Sequence, residues 1–327
     1  MRLNFSVARV SGPLPIVTVI IPTRPDLSSV QALEGARRLD YPREKLEIIL
    51  ARGKQPSVQR NAALKTAAGE IIYFLDDDSL PAVENLRQAI PRFADASVKM
   101  VGGPNLCPPD APSLEKAFAL TMGSWLAFGP SRARYRSLGQ VRSTSEKELI
   151  LCNLLARRDA LLELGGFNEA LYPNEENALM DELQKRGGKL IYDPALIVHR
   201  RPRRTLRAFG KMLLNYGRGR AEQFRSHPTP GSALNFVPPL FCVFLVAAPF
   251  LGKLAAIPAL AYLAVVLAQA FVTVWPNQAT LLPHVTLLII LVHVLYGLGF
   301  WRGLFTKLRR ATPTSAEVKL ERIQPIA

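Results

Sequence analysis

The chain has 327 residues, 49% of them hydrophobic and 20% charged, with a formal net charge of +15. That apolar content excludes long disorder, and three cysteines in this length exclude a disulfide scaffold. A basic chain ordinarily suggests nucleic acid or an anionic surface, yet the mean hydropathy is positive, so charge and oil must be segregated along the chain.

At the N-terminus, Arg2 and Arg9 flank a mixed stretch that Pro13 and Pro15 interrupt before an apolar core forms. This is not a secretory signal pattern. The segment ahead of Phe236 is therefore expected in the cytoplasm, with Cys107, Cys152 and Cys242 as thiols too widely spaced for a zinc site. Val17–Pro22, Leu46–Leu50 and Glu70–Leu75 read as short buried strands. A helix to about Arg38 and another over Val58–Ala68 separate them, and Ser79 with Pro81 suggests a capped helix start. Leu151–Leu164 is predicted helical, as is the stretch from Asn174 to Arg186; Lys189–Pro194 and Leu196–Val198 read as strands. Alternation of this kind predicts an α/β fold with a mostly parallel sheet, whose ligands bind beyond the carboxyl ends of the strands. Thr23–Asp26, Arg52–Lys54 and Asp76–Asp78 all fall there.

Leu114–Phe128 is apolar and reads either as an interfacial helix or as a core helix, with Arg132, Arg134, Arg136 and Arg142 following it. From Phe236 to Trp301 the only charged residue is Lys253. Three spans are predicted there: Phe236–Gly252, Leu254–Trp275 and Leu281–Trp301. The first is short and proline-rich, with a kinked or re-entrant path as the alternative. Before the spans, Arg200, Arg201, Arg203, Arg204, Arg207, Lys211, Arg218, Arg220 and Arg225 are opposed only by Glu222. Positive charge also dominates the tail beyond Trp301, whereas Met1–His199 is nearly neutral. The basicity borders the membrane block, as expected of a cytoplasmic face. Three crossings would leave the tail on the far side, so two or four fit the charge better. The expected organisation is a catalytic domain over 1–199, a basic juxtamembrane segment over 200–235, a membrane domain over 236–301 and a polar tail over 302–327.

The chemical signals each allow two readings. Asp76-Asp77-Asp78 at a strand end is either a cradle for Mg²⁺ or Mn²⁺ on a nucleotide diphosphate or a solvated acidic turn. Glu175-Glu176 either complements a helix dipole or supplies a general base. His199 is either a satisfied strand-end histidine or a metal ligand. There is no glycine loop of the nucleotide-binding kinds; Tyr216-Gly-Arg-Gly-Arg220 has the glycines without the flanking elements and reads as a juxtamembrane turn.

Taken together, VTVIIPTRP, SVQRNAALKTAAGEIIYFLDDDSLP, GGFNEALYPNEENALMDELQKRGGKLIYDP, YGRGR and HVLYGLGFWRGL resemble membrane-anchored members of glycosyltransferase family 2 with the GT-A fold. The last two are similar to segments of exopolysaccharide glucosyltransferases of the succinoglycan type. The resemblance implies an inverting transfer from a nucleotide-diphosphate sugar to a lipid-linked or cell-envelope polysaccharide acceptor, at the inner membrane, with the catalytic domain cytoplasmic and the anchor multi-pass. It implies Asp76 and Asp78 on a metal, with His199 nearby, and Asp77 at the donor. Thr23, Arg24, Asp26, Arg60 and Asn61 would border the nucleotide. Glu176 would be the base, with Glu175 beside it, and Arg132, Arg134, Arg200 and Arg203 would meet an acceptor or lipid phosphate.

Some residues depart from the family pattern. Ala51-Arg52-Gly53-Lys54 stands where the family often carries the Asp-Asp-Gly-Ser that reads uracil, so the donor need not be a uridine nucleotide. The base position is Glu rather than Asp, and Glu182 stands near a usual arginine. The absence of Gln-x-x-Arg-Trp argues against a processive synthase. A nucleotidyltransferase and a non-catalytic membrane scaffold are the competing readings. No basic, aromatic-studded surface within Met1–His199 suggests nucleic acid.

Overall fold

The computed structural model describes residues 13–171, 174–226, 235–307 and 317–323. The N-terminal stretch with Arg2 and Arg9, and Arg309 and Arg310 of the tail, lie outside these. The strands are β1 (Val17–Thr23), β2 (Leu46–Arg52), β3 (Ile71–Leu75), β4 (Leu80–Pro81), β5 (Val98–Gly102), β6 (Asn105–Leu106), β7 (Arg142–Thr144), β8 (Asn153–Arg157), β9 (Lys189–Tyr192), β10 (Val198–His199) and β11 (Lys319–Ile323). The helices are α1 (Gln31–Arg37), α2 (Pro56–Thr66), α3 (Asn85–Ala89), α4 (Ser113–Met122), α5 (Trp125–Phe128), α6 (Arg158–Glu163), α7 (Glu175–Lys185), α8 (Leu206–Ser226), α9 (Val237–Leu251), α10 (Ala256–Val274) and α11 (Leu282–Phe305).

One sheet has the order β11-β2-β1-β3-β8-β5-β9-β7, and a small one has the order β4-β10-β6. The large sheet is mixed rather than mostly parallel. β1 pairs in parallel with β2 and β3, but β8 is antiparallel to β3 and β5, and both edge strands are antiparallel to their neighbours. Core clusters cover both faces of β1, β2 and β3, which is why these strands read as unbroken apolar runs. Each fully buried Ile or Leu there contributes about 1.5–3 kcal/mol.

Three local expectations are corrected. Leu151–Leu164 is not one helix: Asn153–Arg157 is a strand between β3 and β5, and only Arg158–Glu163 is helical. Pairing on both sides outweighs the helix preference of Leu and Ala. Ser79 does not cap a helix; Leu80–Pro81 pairs with β10, and α3 starts only at Asn85. Tyr216–Arg220 is no turn but lies within α8. Its glycine serves a close crossing, because a Cβ on Gly217 would collide with the Tyr296 carbonyl, and one on Gly299 with the Leu214 carbonyl.

The apolar block forms two stretches long and apolar enough to cross a membrane, Val237–Val274 and Ala279–Phe305, rather than three. The first bends at Gly252, where φ is +54°. The chain doubles back there, since the Phe241 ring of α9 lies 4.4 Å from the Tyr262 ring of α10. Beyond that contact the large apolar side chains are unburied; Phe250 is 88% exposed. On the other side, α10 and α11 pack with α8 and α4 in one cluster that includes Phe118 stacked on Phe209 at 4.2 Å. Leu114–Phe128 therefore supplies both a core helix, α4, and a partly exposed edge at Trp125. His293 of α11 joins the two parts, with Nε2 2.8 Å from the Leu126 carbonyl and Nδ1 2.8 Å from the Tyr262 hydroxyl.

Within the polar tail, Lys319–Ile323 forms an edge strand on β2, in register from Lys319 opposite Arg52 to Ile323 opposite Ile48. Ion pairs of Glu321 with Arg52 (3.1 Å) and of Arg322 with Glu47 (3.0 Å) fasten it.

Candidate active site

Both sheets deliver their ends to one cleft. β3 runs into Asp76-Asp77-Asp78, and β4 follows at once. β10 pairs antiparallel to β4 with His199 opposite Leu80, so the next residue, Arg200, arrives beside the aspartates. Its Nη1 lies 3.0 Å from Asp76 Oδ2 and its Nε 2.5 Å from Asp78 Oδ1. Arg200 was expected at an acceptor phosphate; the register places it on the acidic triplet instead. All three cysteines are free thiols.

A second arginine comes from α2. The first two turns of this helix bury Ser57, Gln59, Arg60 and Asn61 rather than apolar residues, and the last three of these bond strand ends, the cleft carboxylates and a neighbouring loop. Gln59 donates to the Thr23 carbonyl at 2.8 Å and so ties α2 to the end of β1. Arg60 donates to Asp76 Oδ1 at 2.8 Å and lies 3.5 Å from Glu175 Oε1. Asn61, expected at the nucleotide, has its amide committed within the protein. Its amide bonds both the N–H and the carbonyl of Phe167, each at 2.8 Å, and Glu169 at 2.9 Å, holding the loop that leads to α7. Thr23 is buried at the end of β1, whereas Arg24 and Asp26 are exposed on the loop beyond it. Arg203 is exposed, but near enough for its charge to act on Asp76.

The electrostatics follow from this geometry. Burial alone would raise the Asp76 carboxyl, but Arg200 and Arg60 outweigh it and hold the group below its usual range. Asp77 shifts the other way, raised by burial and by Asp78 and Asp76. Glu175 is pushed up to about 7, by burial first and then by Glu176, with Arg60 opposing. Successive residues on a helix point about 100° apart. Thus Glu175 is buried against Arg60, while Glu176 lines a separate cavity of about 370 Å³ between α7, α5, α8, α9 and α11.

For a metal, the informative observation is that two carboxylates converge on one guanidinium, a cradle that already accommodates a cation. Asp76 and Asp78 fit a hard divalent ion that takes its remaining ligands from a diphosphate and water. Among the described residues no group of three or more His, Cys, Asp or Glu side chains is arranged to hold a metal. His199 precedes the arginine that reaches the aspartates, and its backbone pairs β10 with both β4 and β6.

Several residues take roles that the sequence pattern did not show. Arg220, Tyr216 and Asn174 line the cavity with Glu176. Arg201 meets buried Glu115 through two bonds, at 2.7 and 2.8 Å. Arg52 donates to the Leu27 carbonyl at 2.9 Å while paired with Glu321. Contacts such as Arg52 with Glu321 span most of the chain, so local pattern could not show them.

A mixed sheet that ends in an acidic triplet, joined through Arg60 to buried Glu175, is the architecture of a glycosyltransferase domain of the GT-A fold. Residues 6–214 match the family described as "Glycosyltransferase like family 2", and the chain belongs to that family. A mannosyltransferase, PcManGT from Pyrobaculum calidifontis, solved with GDP-Man and Mn²⁺, superposes with a TM-score of 0.56 at 19% identity, covering 89% of this chain and 87% of that one. TarS of S. aureus, solved with UDP, gives a TM-score of 0.44 at 13% identity over 88% of this chain and 91% of that one. The pre-mycofactocin glycosyltransferase of Mycobacterium tuberculosis is 26% identical over 186 residues, 54% of this chain. The match takes in 36% of that relative's length, so the chain spans about a third of it.

Proposed function

We propose that this protein transfers a sugar from a nucleotide-diphosphate sugar, with inversion, to a lipid-linked or envelope polysaccharide acceptor at the inner membrane. The observation that carries the reading is the Arg60 bridge. It joins the triplet at Asp76 to the carboxylate pair at Glu175, and Glu176 faces the adjoining cavity. The donor diphosphate lies over Asp76–Asp78 and Arg200, and the acceptor hydroxyl arrives beside Glu176. That hydroxyl oxygen bonds to the anomeric carbon while the bond from this carbon to the diphosphate oxygen breaks. The electron pair leaves on the diphosphate, and the hydroxyl proton passes to Glu176. Asp76 and Asp78 would hold Mg²⁺ or Mn²⁺, which would supply Lewis-acid stabilisation of the leaving diphosphate. A mannosyltransferase of the same fold solved with GDP-Man and Mn²⁺ supports this choice of cofactor.

The membrane reading rests on Val237–Val274 and Ala279–Phe305 and on the exposed apolar surface around Phe250. The basic residues of α8 flank this block. Because β11 returns to the catalytic sheet, the apolar block is entered and left from one face, and an odd number of crossings is disfavoured. The test is transfer by detergent-purified protein supplied with a panel of nucleotide sugars and Mn²⁺. Asp78→Ala and Glu176→Gln are each expected to abolish it; wild-type turnover in either would overturn the assignment.

A further inference from the structure

The cavity beside Glu176 has two chemically different ends. Its apolar wall is built from Trp125, Leu126, Phe128, Val237 and Val292. Two of these also form its rim, since Trp125 is 52% and Val237 59% exposed. Leu240, one helical turn beyond Val237 on α9, is exposed as well, so apolar surface continues from this wall. The inner end is polar and carries Arg134, Arg220, Asn174 and Glu176.

Two of these polar residues have unmet bonding capacity. Asn174 and Arg134 are 8% and 9% exposed, and Asn174 Nδ2 and Arg134 Nε have no hydrogen-bond partner. A buried donor left without an acceptor is unfavourable, and an oxygen-rich ligand would relieve it. Arg220 is held by Gln223 at 3.0 Å on α8. At the rim, Arg132 lies over the Trp125 ring at 5.1 Å, adding positive charge where the apolar wall meets solvent. Arg134 is otherwise held by the Glu146 carbonyl and Asn177 Oδ1. A neutral sugar would leave the apolar wall wet, and a plain fatty chain would leave the Arg134 and Asn174 donors unmet.

We infer that this cavity binds an anionic amphiphile: a lipid phosphate whose chain lies along Trp125, Phe128 and Val237 and whose phosphate meets Arg220 and Arg134. The inference rests on the proposed function for its catalytic meaning, because it makes the lipid-linked form the acceptor and gives it an entry route; the reacting hydroxyl then belongs to a sugar carried on that lipid phosphate. It replaces the expected set of Arg132, Arg134, Arg200 and Arg203 with Arg134, Arg220 and Asn174, and leaves Arg132 at the mouth.

The test uses the full chain in neutral-detergent micelles, titrated separately with dodecyl phosphate, dodecanol and inorganic phosphate, and read by tryptophan fluorescence. Dodecyl phosphate is expected to give a saturable change that Trp125→Phe removes. Arg220→Gln should weaken it about tenfold or more, the loss expected for one charge-assisted hydrogen bond. Arg220→Lys should retain part of the affinity. Ala127→Phe should block the probe by filling the wall without touching a charge, which covers the case in which Arg220→Gln does not fold. Equal binding of dodecanol, saturable binding of inorganic phosphate with the same affinity, or full binding by both Arg220→Gln and Ala127→Phe would each overturn the inference. Probe binding without any sugar transfer would instead count against the proposed function alone. Transfer without probe binding would count against the inference alone.

Discussion

Arg200 Nε lies 2.5 Å from Asp78 Oδ1, although 122 residues separate the two. The antiparallel pairing of β10 with β4 makes this contact, so a positive side chain occupies the acidic cradle. Arg200→Ala should lower the stability of the metal-free protein by roughly 1–3 kcal/mol, since it strands partly buried carboxylates. The same variant should bind Mn²⁺ more tightly without nucleotide. Thermal unfolding with and without Mn²⁺, with Mn²⁺ binding read by electron paramagnetic resonance, checks both; unchanged Mn²⁺ affinity would count against competition for the cradle.

Asn61 offers a contrast. Its amide is spent on the Phe167 peptide and on Glu169, so Asn61→Ala should act through structure. Stability is expected to fall by roughly 1–3 kcal/mol, with nucleotide affinity nearly unchanged. Calorimetric titration beside a denaturant melt separates the two effects.

Glu175 should make stability depend on pH. Its ordinary value is 4.5, and in the folded protein it is pushed up to about 7 by burial and by Glu176. Between those values the folded state keeps a proton that the unfolded chain releases. The favourable contribution is therefore complete below about pH 4.5 and is lost as pH rises to about 7. Glu175→Gln should flatten the decline in that window, by roughly 2–3 kcal/mol. Melting temperatures of both proteins from pH 5 to pH 8 provide the comparison.

The crossing of α8 and α11 should tolerate no side chain at Gly299, where a Cβ would strike the Leu214 carbonyl. Gly299→Val should cost roughly 1–3 kcal/mol or more by forcing the helices apart, and so disturb the wall that carries Tyr216 and Tyr296. Gly252→Ala meets no neighbouring atom but is strained by its positive φ, and is expected to be milder. Thermal stability in detergent distinguishes them.

Pairing of β11 with β2 predicts that a reporter fused after Ala327 stays on the side of the catalytic domain. It also predicts that Glu321→Gln loosens Arg52 and, through it, the Leu27 carbonyl. The expected result is a raised KM for the donor with little change in kcat. A reporter found on the opposite side would refute the strand pairing.

Much of this protein is written in local pattern. The β-branched runs of β1, β2 and β3 declare a buried sheet, because strands covered on both faces need no polar alternation. The acidic triplet, the glutamate pair and the apolar block are equally legible, since each is contiguous. Asn153–Arg157 was not, because its strand state depends on partners about eighty and fifty residues away, β3 and β5. Nor could sequence order show that Arg200 answers Asp78, that Asn61 serves the Phe167 loop, or that the tail closes the sheet. The sequence by itself carried the family resemblance, the acidic triplet at a strand end and a contiguous apolar block with basic flanks. Only the tertiary structure decided which cation meets which carboxylate, and that Glu176 opens on a cavity with a largely apolar wall and a charged end. Those outcomes depend on register and helix rotation, which pairing between distant segments sets.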